Sequence, residues 1–411
     1  MEILNRPGSA QAVSELSGDG SVSQLTRERE LVGKDVICFC HDWSGDPLSK
    51  THLMRLVARD NRVLWVNSIG LRGPSASKSD IGRIFKKLAA VASPIREVET
   101  NLFVLSPLSI PAYGQPLLRD INRRLLRFQV KRAMRRLGFS RPINYVFLPS
   151  AGLIAGTLDE ELVIYHCVDE YTAFSGMPSQ ALAGIEEQLV RRANLVIVSA
   201  DLLYRSKSRF NPHTVLVRHG VDFEHFRRAL DPSLLVPEDI AHLPRPIIGF
   251  FGLIADWVDL DLLVRVAKQF SQGSLVLLGK AITDVSRLEC LPNVHLLGRK
   301  PYASLPAYCK GFDVALMPFR INELTLNANP LKVREYLAAG LQVVSTAIPE
   351  VEVLGLCRIG SDHDGFVQEV KLALADPGTR VERSETVRSE SWEARLEDIR
   401  YHIAALRLPR V

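Results

Sequence analysis

The sequence predicts an α/β protein of two parallel-sheet domains, on three observations. Its 411 residues exceed one ordinary domain. Short apolar runs of strand type alternate with helical periods, the pattern of parallel βαβ units. That series stops at His219-Gly220-Val221-Asp222, and after the proline-bearing stretch Phe223–Pro246 it restarts at Ile247. The expected division is therefore a loosely attached segment 1–33, a first domain 34–222, a second domain 223–385, and a C-terminal helix 386–411 that packs back on the first domain.

A hydrophobic fraction of 46% beside 24% charged residues is that of a soluble globular protein. No apolar run is long enough to span a bilayer, and the start of the chain lacks the apolar core of a signal peptide. Six scattered cysteines show no metal-type spacing. A cytoplasmic location is expected.

Taken in order, Asp35–Cys40 (DVICFC) reads as a buried strand, where Cys38 and Cys40 suit a core better than ligation. His41 and Asp42 follow at its C-terminal edge, either as contacts to an acceptor or as a cap and a hydrogen-bonded loop pair. Ser49–Arg59 has helical spacing and Arg62–Val66 is a strand. Lys78–Leu88 and Leu117–Phe139 are basic; in the second, eight Arg and Lys residues face a single acid, Asp120, with Leu118, Ile121, Leu125, Phe128 and Met134 at roughly helical intervals. Basic amphipathic helices of this kind suit an anionic membrane surface. No aromatic interleaving or binding motif points to nucleic acid. A solvated helix face is the alternative.

Asn144–Leu148, Leu162–Tyr165, Leu195–Ser199 and Thr214–Arg218 are further strands, separated by helices over Ser179–Arg192 and Asp201–Phe210. The second series runs Ile247–Phe251, helix Asp261–Phe270, Leu275–Leu278, Val294–Leu297, helix Tyr302–Lys310. It ends with a strand near Cys357–Ile359 and helices over Asp364–Ala375 and Trp392–Arg407. Gly252 and Gly249 permit close approach of a ligand to backbone. Asp259-Leu260-Asp261 has the letters of a metal motif, but its place at a helix start favours capping.

The most informative stretch is Asp313–Pro349. Asp313–Phe319 is a strand, Asn329 an N-cap, Pro330 the first helical residue, Gly340 the left-handed stop, and Gln342–Thr346 the next strand. Such a helix start, at the ligand edge of a parallel sheet, favours an anion, and Lys332 adds a full charge. Glu335 shares its face, three residues on. A phosphate-seeking Lys beside a carboxylate that accepts two hydroxyls fits a nucleotide sugar; a surface Lys–Glu pair is the alternative.

YHCVDEY (165–171), VRHGVD (217–222), GFFG (249–252), NVHLLG (293–298), ALMPF (315–319) and NPLKVREYLAAGLQVVST (329–346) occur in that order. Over roughly residues 35–405 the chain resembles retaining glycosyltransferases of the GT-B class, in the group 1 family of bacterial surface-polysaccharide transferases. The resemblance implies two Rossmann-like domains facing each other across a cleft, a nucleotide-sugar donor, a glycan or lipid-linked acceptor, and no cofactor or metal. Glu335 matches the second acid of the family's Glu-x7-Glu motif, which binds the donor ribose. The first acid falls on Asn327, where an amide contacts the sugar but carries no charge. Backbone at Asn329–Lys332, including Leu331, would cradle the diphosphate. The family's Arg and Lys after the first donor-domain strand are absent from Leu253–Trp257, leaving Arg320 or Lys280 to stand in. Gly298 and Arg299 lie where the nucleobase meets main chain, while Asp169 or His166 would face the acceptor. A nucleotide-sugar epimerase of the same shape and a catalytically silent nucleotide-sugar-binding subunit are the other readings.

Overall fold

The computed structural model describes residues 31–68, 95–108, 116–175 and 179–406. Residues 1–30 and the basic segment Lys78–Leu88 lie outside the described residues. The first sheet contains β1 (Asp35–Phe39), β2 (Arg62–Val66), β3 (Arg96–Glu99), β4 (Leu102–Leu105), β5 (Ile143–Val146), β6 (Leu162–Cys167), β7 (Leu195–Val198) and β8 (Thr214–Leu216). Their order is β3-β4-β2-β1-β5-β6-β7-β8, with β3 alone antiparallel to its neighbour. The second sheet contains β9 (Ile247–Phe251), β10 (Ser274–Leu278), β11 (Val294–Leu296), β12 (Val314–Met317), β13 (Gln342–Thr346) and β14 (Arg358–Gly360), ordered β11-β10-β9-β12-β13-β14. The longer helices are α1 (Ser49–Asp60), α2 (Pro116–Leu137), α3 (Ser179–Arg192), α4 (Leu260–Gln269), α5 (Leu331–Ala338), α6 (His363–Ala375) and α7 (Trp392–Leu406).

Strand order reverses between β1 and β5 in the first sheet and between β9 and β12 in the second. In open parallel sheets, ligands bind beyond the strand ends at such a reversal. The central strands are continuous apolar runs because both of their faces are covered. In β1, Val36 and Cys38, with Cys40 just beyond, enter one core layer, while Ile37 and Phe39 enter the other.

Several expectations are corrected. Strands β3 and β4 are additions to the expected series: β3 is Arg-Glu-Val-Glu on a sheet edge, without the apolar signal, and β4 is the short apolar run Leu-Phe-Val-Leu. Phe223–Pro246, the proline-bearing stretch between the two strand series, is structured as part of the second domain. It holds helices Phe223–Arg227 and Glu238–Ala241, and Phe226 and Ile240 are buried in the second core. In α2 the buried face is Leu126, Val130, Ala133 and Met134, whereas Ile121 and Phe128 are 40% and 59% exposed. The helix is turned because Asn122 also points inward, a polar residue that apolar spacing does not reveal. Among the described residues no helix is long and apolar enough to cross a membrane.

Helix α7 leaves the second domain and lies against α1: Trp392, Leu396, Ile399 and Ile403 join the first domain's core, and Arg400 pairs with Asp60 at 2.6 Å.

Candidate functional site

Between the two reversal points lies a cavity of about 210 Å³. The loop after β1 and the start of α1 contribute Leu48 and Lys50; the segment after β6 contributes Val168, Asp169 and Phe174; the domain junction contributes His219. Across the cleft, Trp257 follows β9, and Phe319 and the segment from Ala328 to Lys332 follow β12. Phe174 and Trp257 meet edge to face across the gap, ring centroids 6.2 Å apart, and Ser175 donates to Asp256 at 2.5 Å. A roomier cavity of about 350 Å³ lies behind the crossover between Arg218, Arg334 and Arg395. Glu350, Glu390 and Asp398 already pair those arginines.

Lys332 stands in the first turn of α5 and lies over Gly252. A Cβ at Gly252 would fall 2.1 Å from Lys332 Cε, and Gly252 has φ +142°, so glycine is what admits the lysine to the cavity wall. Gly279 packs behind it; a Cβ there would fall 1.8 Å from the Gly252 carbonyl oxygen. Burial pushes the Lys332 ammonium below its usual pKa, with Glu335 opposing. Glu335 is pushed up to about 7 by burial, against the pull of Lys332 and with added repulsion from Asp222. Asp169 is raised to about 6 by burial, with Lys50 opposing. At neutral pH Glu335 is close to its midpoint, while Asp169 stays mostly ionised.

His219 Nδ1 lies 2.8 Å from the Asn329 carbonyl oxygen. A carbonyl only accepts, so Nδ1 carries the proton and Nε2 is a bare acceptor. Burial holds the ring at about 3, hence neutral, and Nε2 has no partner. It is a ready acceptor for a hydroxyl.

The structure revises several site residues. Helix α5 begins at Leu331 with Pro330 at the N-cap position. Asn329 does not cap it: its amide donates to the Ser199 carbonyl at 2.7 Å and accepts from Arg334 at 2.8 Å. Tertiary bonds across the junction outcompete the local cap. Leu331 packs against the first domain's core. Asn327 ends the short helix Glu323–Leu326, its amide donating to the Glu323 carbonyl at 2.8 Å. His166 is buried, 2.9 Å from the Tyr145 hydroxyl and stacked on Phe147, off the cavity wall. His41 contacts Cys40 Sγ at 3.0 Å and Trp65 edge-on; neither it nor Asp42 lines the cavity. Lys280 and Arg320 are exposed and away from it. Gly298 bonds backbone to backbone with Gly279, and Arg299 pairs with Asp46 across the cleft rim at 2.6 Å. Asp259 caps α4 through Leu262 N–H. Among the described residues, no group of three His, Cys, Asp or Glu side chains is placed to hold a metal.

Lys50, Phe174 and Trp257 were missed by sequence reasoning, because no local pattern marks them and they converge only when the two domains pack. His219 lies within the VRHGVD motif, but only the packing of the junction gives it a place on the cavity wall.

Residues 245–376 match the family described as glycosyl transferases group 1. A putative teichuronic acid biosynthesis glycosyltransferase, TuaH of Bacillus subtilis (strain 168), is 28% identical over 226 residues, covering 50% of this chain and 55% of the relative. The chain thus spans about half the length of that curated relative. Sucrose-phosphate synthase from Thermosynechococcus elongatus superposes with a TM-score of 0.66 at 16% identity, over 89% of this chain and 97% of that one. The Anabaena protein HepE, solved in complex with UDP, gives 0.63 at 14% identity over 90% and 100%. A structure described as trehalose-6-phosphate from E. coli bound with UDP-2-fluoro glucose gives 0.64 at 12% over 92% and 100%. At these identities the likeness is one of fold, and the fold is GT-B.

Proposed function

Taking residues 245–376 as a glycosyl transferases group 1 region, we propose that the chain moves a sugar from a nucleotide-sugar donor to a glycan or lipid-linked acceptor in polysaccharide biosynthesis. The observation that carries this is Lys332, admitted by Gly252 to the wall of a cavity at the reversal point, with Glu335 one turn behind it. Lys332 meets the diphosphate, ionised Glu335 accepts the ribose hydroxyls, and His219 Nε2 accepts from the donor sugar.

In the reaction an acceptor oxygen bonds to the anomeric carbon as the bond from that carbon to the diphosphate breaks. The acceptor's proton passes to the departing phosphate on the same face, so configuration is retained. Negative charge grows on the leaving oxygen, and a preorganised ammonium in a water-poor cavity stabilises it. The residues provide that charge themselves, and the proposed chemistry is metal-independent.

Thermal-shift measurements with UDP, GDP, ADP and dTDP test this, since a bound donor raises stability by mass action. One of them is expected to raise the melting temperature, and less so as pH falls below about 7, where protonated Glu335 loses acceptor capacity. If none of the four shifts the transition at any pH, the reading is wrong.

The proposal includes a peripheral site on the inner face of the cytoplasmic membrane. On α2, Ile121, Arg124, Phe128, Arg132 and Arg135 fall at helical spacing on the exposed face. Asp120 is claimed by Arg123 and Arg124, and Arg127 donates to the Thr157 carbonyl. Co-sedimentation with anionic vesicles is expected, weakening with salt and by about fivefold for each of Arg132→Gln and Arg135→Gln. Unchanged sedimentation of the double variant rejects the membrane surface.

A further inference from the structure

Each domain sends one lysine into the same largely apolar cavity, and among the described residues neither ammonium is ion-paired to a carboxylate. Lys332 comes from the second domain. Lys50 comes from the first, in the opening turn of α1, only 8% exposed. Its Nζ donates to the Tyr171 hydroxyl at 3.1 Å and stands 5.9 and 5.7 Å from the ring centroids of Phe147 and Tyr171. Burial holds the Tyr171 phenol well above its ordinary pKa, so this partner is neutral and leaves the ammonium's charge unmatched. Of the nearby acids, Glu335 is pushed up to about 7 by burial and surrenders about half its charge at neutral pH. Asp169, raised to about 6, keeps most of its charge but, among the described residues, forms no ion pair with either lysine. Unmatched positive charge in an apolar cleft is costly without an anion to meet it.

We propose that Lys50 is the second cation on the donor's diphosphate, reaching across the cleft to replace the base that Leu253–Trp257 lacks. This rests on the nucleotide-sugar reading above and names a residue that reading does not require. The other bases near the cleft are excluded by position: Lys280 and Arg320 face solvent, and Arg299 is held by Asp46. Lys50 sits on the opposite domain from Lys332, so the two ammoniums converge on one diphosphate only when the cleft is closed. The diphosphate then favours closure, and its departure removes the anion that holds the two lysines together.

The test uses the full chain, the best-binding diphosphate among UDP, GDP, ADP and dTDP, and the matching free nucleoside. Dissociation constants are measured by titration calorimetry for wild type, Lys50→Met, Lys50→Arg and Tyr171→Phe. In Lys50→Met, diphosphate binding is expected to weaken at least about tenfold, with nucleoside binding unchanged and a shallower dependence on salt. Lys50→Arg is expected to recover most of the loss. Tyr171→Phe keeps the ammonium and removes only its resting partner, so it is expected to bind diphosphate at least as tightly as wild type. Equal diphosphate affinity in Lys50→Met and wild type overturns the proposal, as does equal weakening toward diphosphate and nucleoside. If Lys50→Met fails to fold, weaker diphosphate binding by Tyr171→Phe overturns it instead. A wild type that binds none of the four diphosphates defeats the nucleotide-sugar reading itself, and the role of Lys50 with it.

Discussion

Lys332→Met is expected to slow sugar transfer by about 100- to 1,000-fold, the typical cost of removing one preorganised group from a developing oxyanion. The same variant is expected to melt close to wild type. Lys332 lies below its usual pKa because burial disfavours its charge, so the folded state gains nothing from the ammonium that methionine would forfeit. A structural lysine behaves the other way, losing stability along with activity. Steady-state rates with a donor and its acceptor, beside melting curves, separate the two. Wild-type turnover in Lys332→Met removes the residue from the mechanism.

Gly252→Ala is expected to depress transfer nearly as far, although every charged residue stays in place. The new methyl lands 2.1 Å from Lys332 Cε. The lysine has to leave the wall, because the backbone behind Gly252 is closed by Gly279. The φ of +142° adds strain of about 1–3 kcal/mol for any residue with a side chain, so lower thermal stability accompanies the lost rate. Combining Gly252→Ala with Lys332→Met is expected to be little slower than either single change, since both remove the same group. If the two losses multiply, the glycine acts through something other than the lysine.

What could be read from the sequence follows the range of the signals. Helix α5 was legible through neighbours in the chain: Gly340 takes φ +77° just past its end, and Lys332 and Glu335 lie within its first turns. Its exact start was not, because Asn329, a good cap by local rules, is claimed by Ser199 and Arg334. The strand alternation exposed both parallel sheets, since doubly covered strands are uniformly apolar, but it passed over β3, whose charged residues lie on an edge. The first-domain wall was largely illegible. His41 and Asp42 occupy the expected loop, yet Trp65 and Cys40 hold His41 aside, and Lys50, a few residues further on, enters the cavity. Which member of a loop faces a cleft is decided by its packing, and Tyr171, which receives the Lys50 ammonium, is 121 residues away in sequence.

The return of α7 to the first domain makes that domain discontinuous in the chain. Val221 and Ser391 pair as a parallel bridge where the two crossings run side by side, and a Cβ at Gly220 would fall 2.8 Å from Trp392 N. Two abutting tethers resist sliding and leave twist about their shared line as the easy relative motion. A fragment ending at Asp222 would bare the apolar flank of α1 that Trp392, Leu396, Ile399 and Ile403 cover. The first half of the molecule is therefore not a piece that can be cut out of the gene as one run. Supplying residues 391–406 as a separate peptide is the way to make it whole.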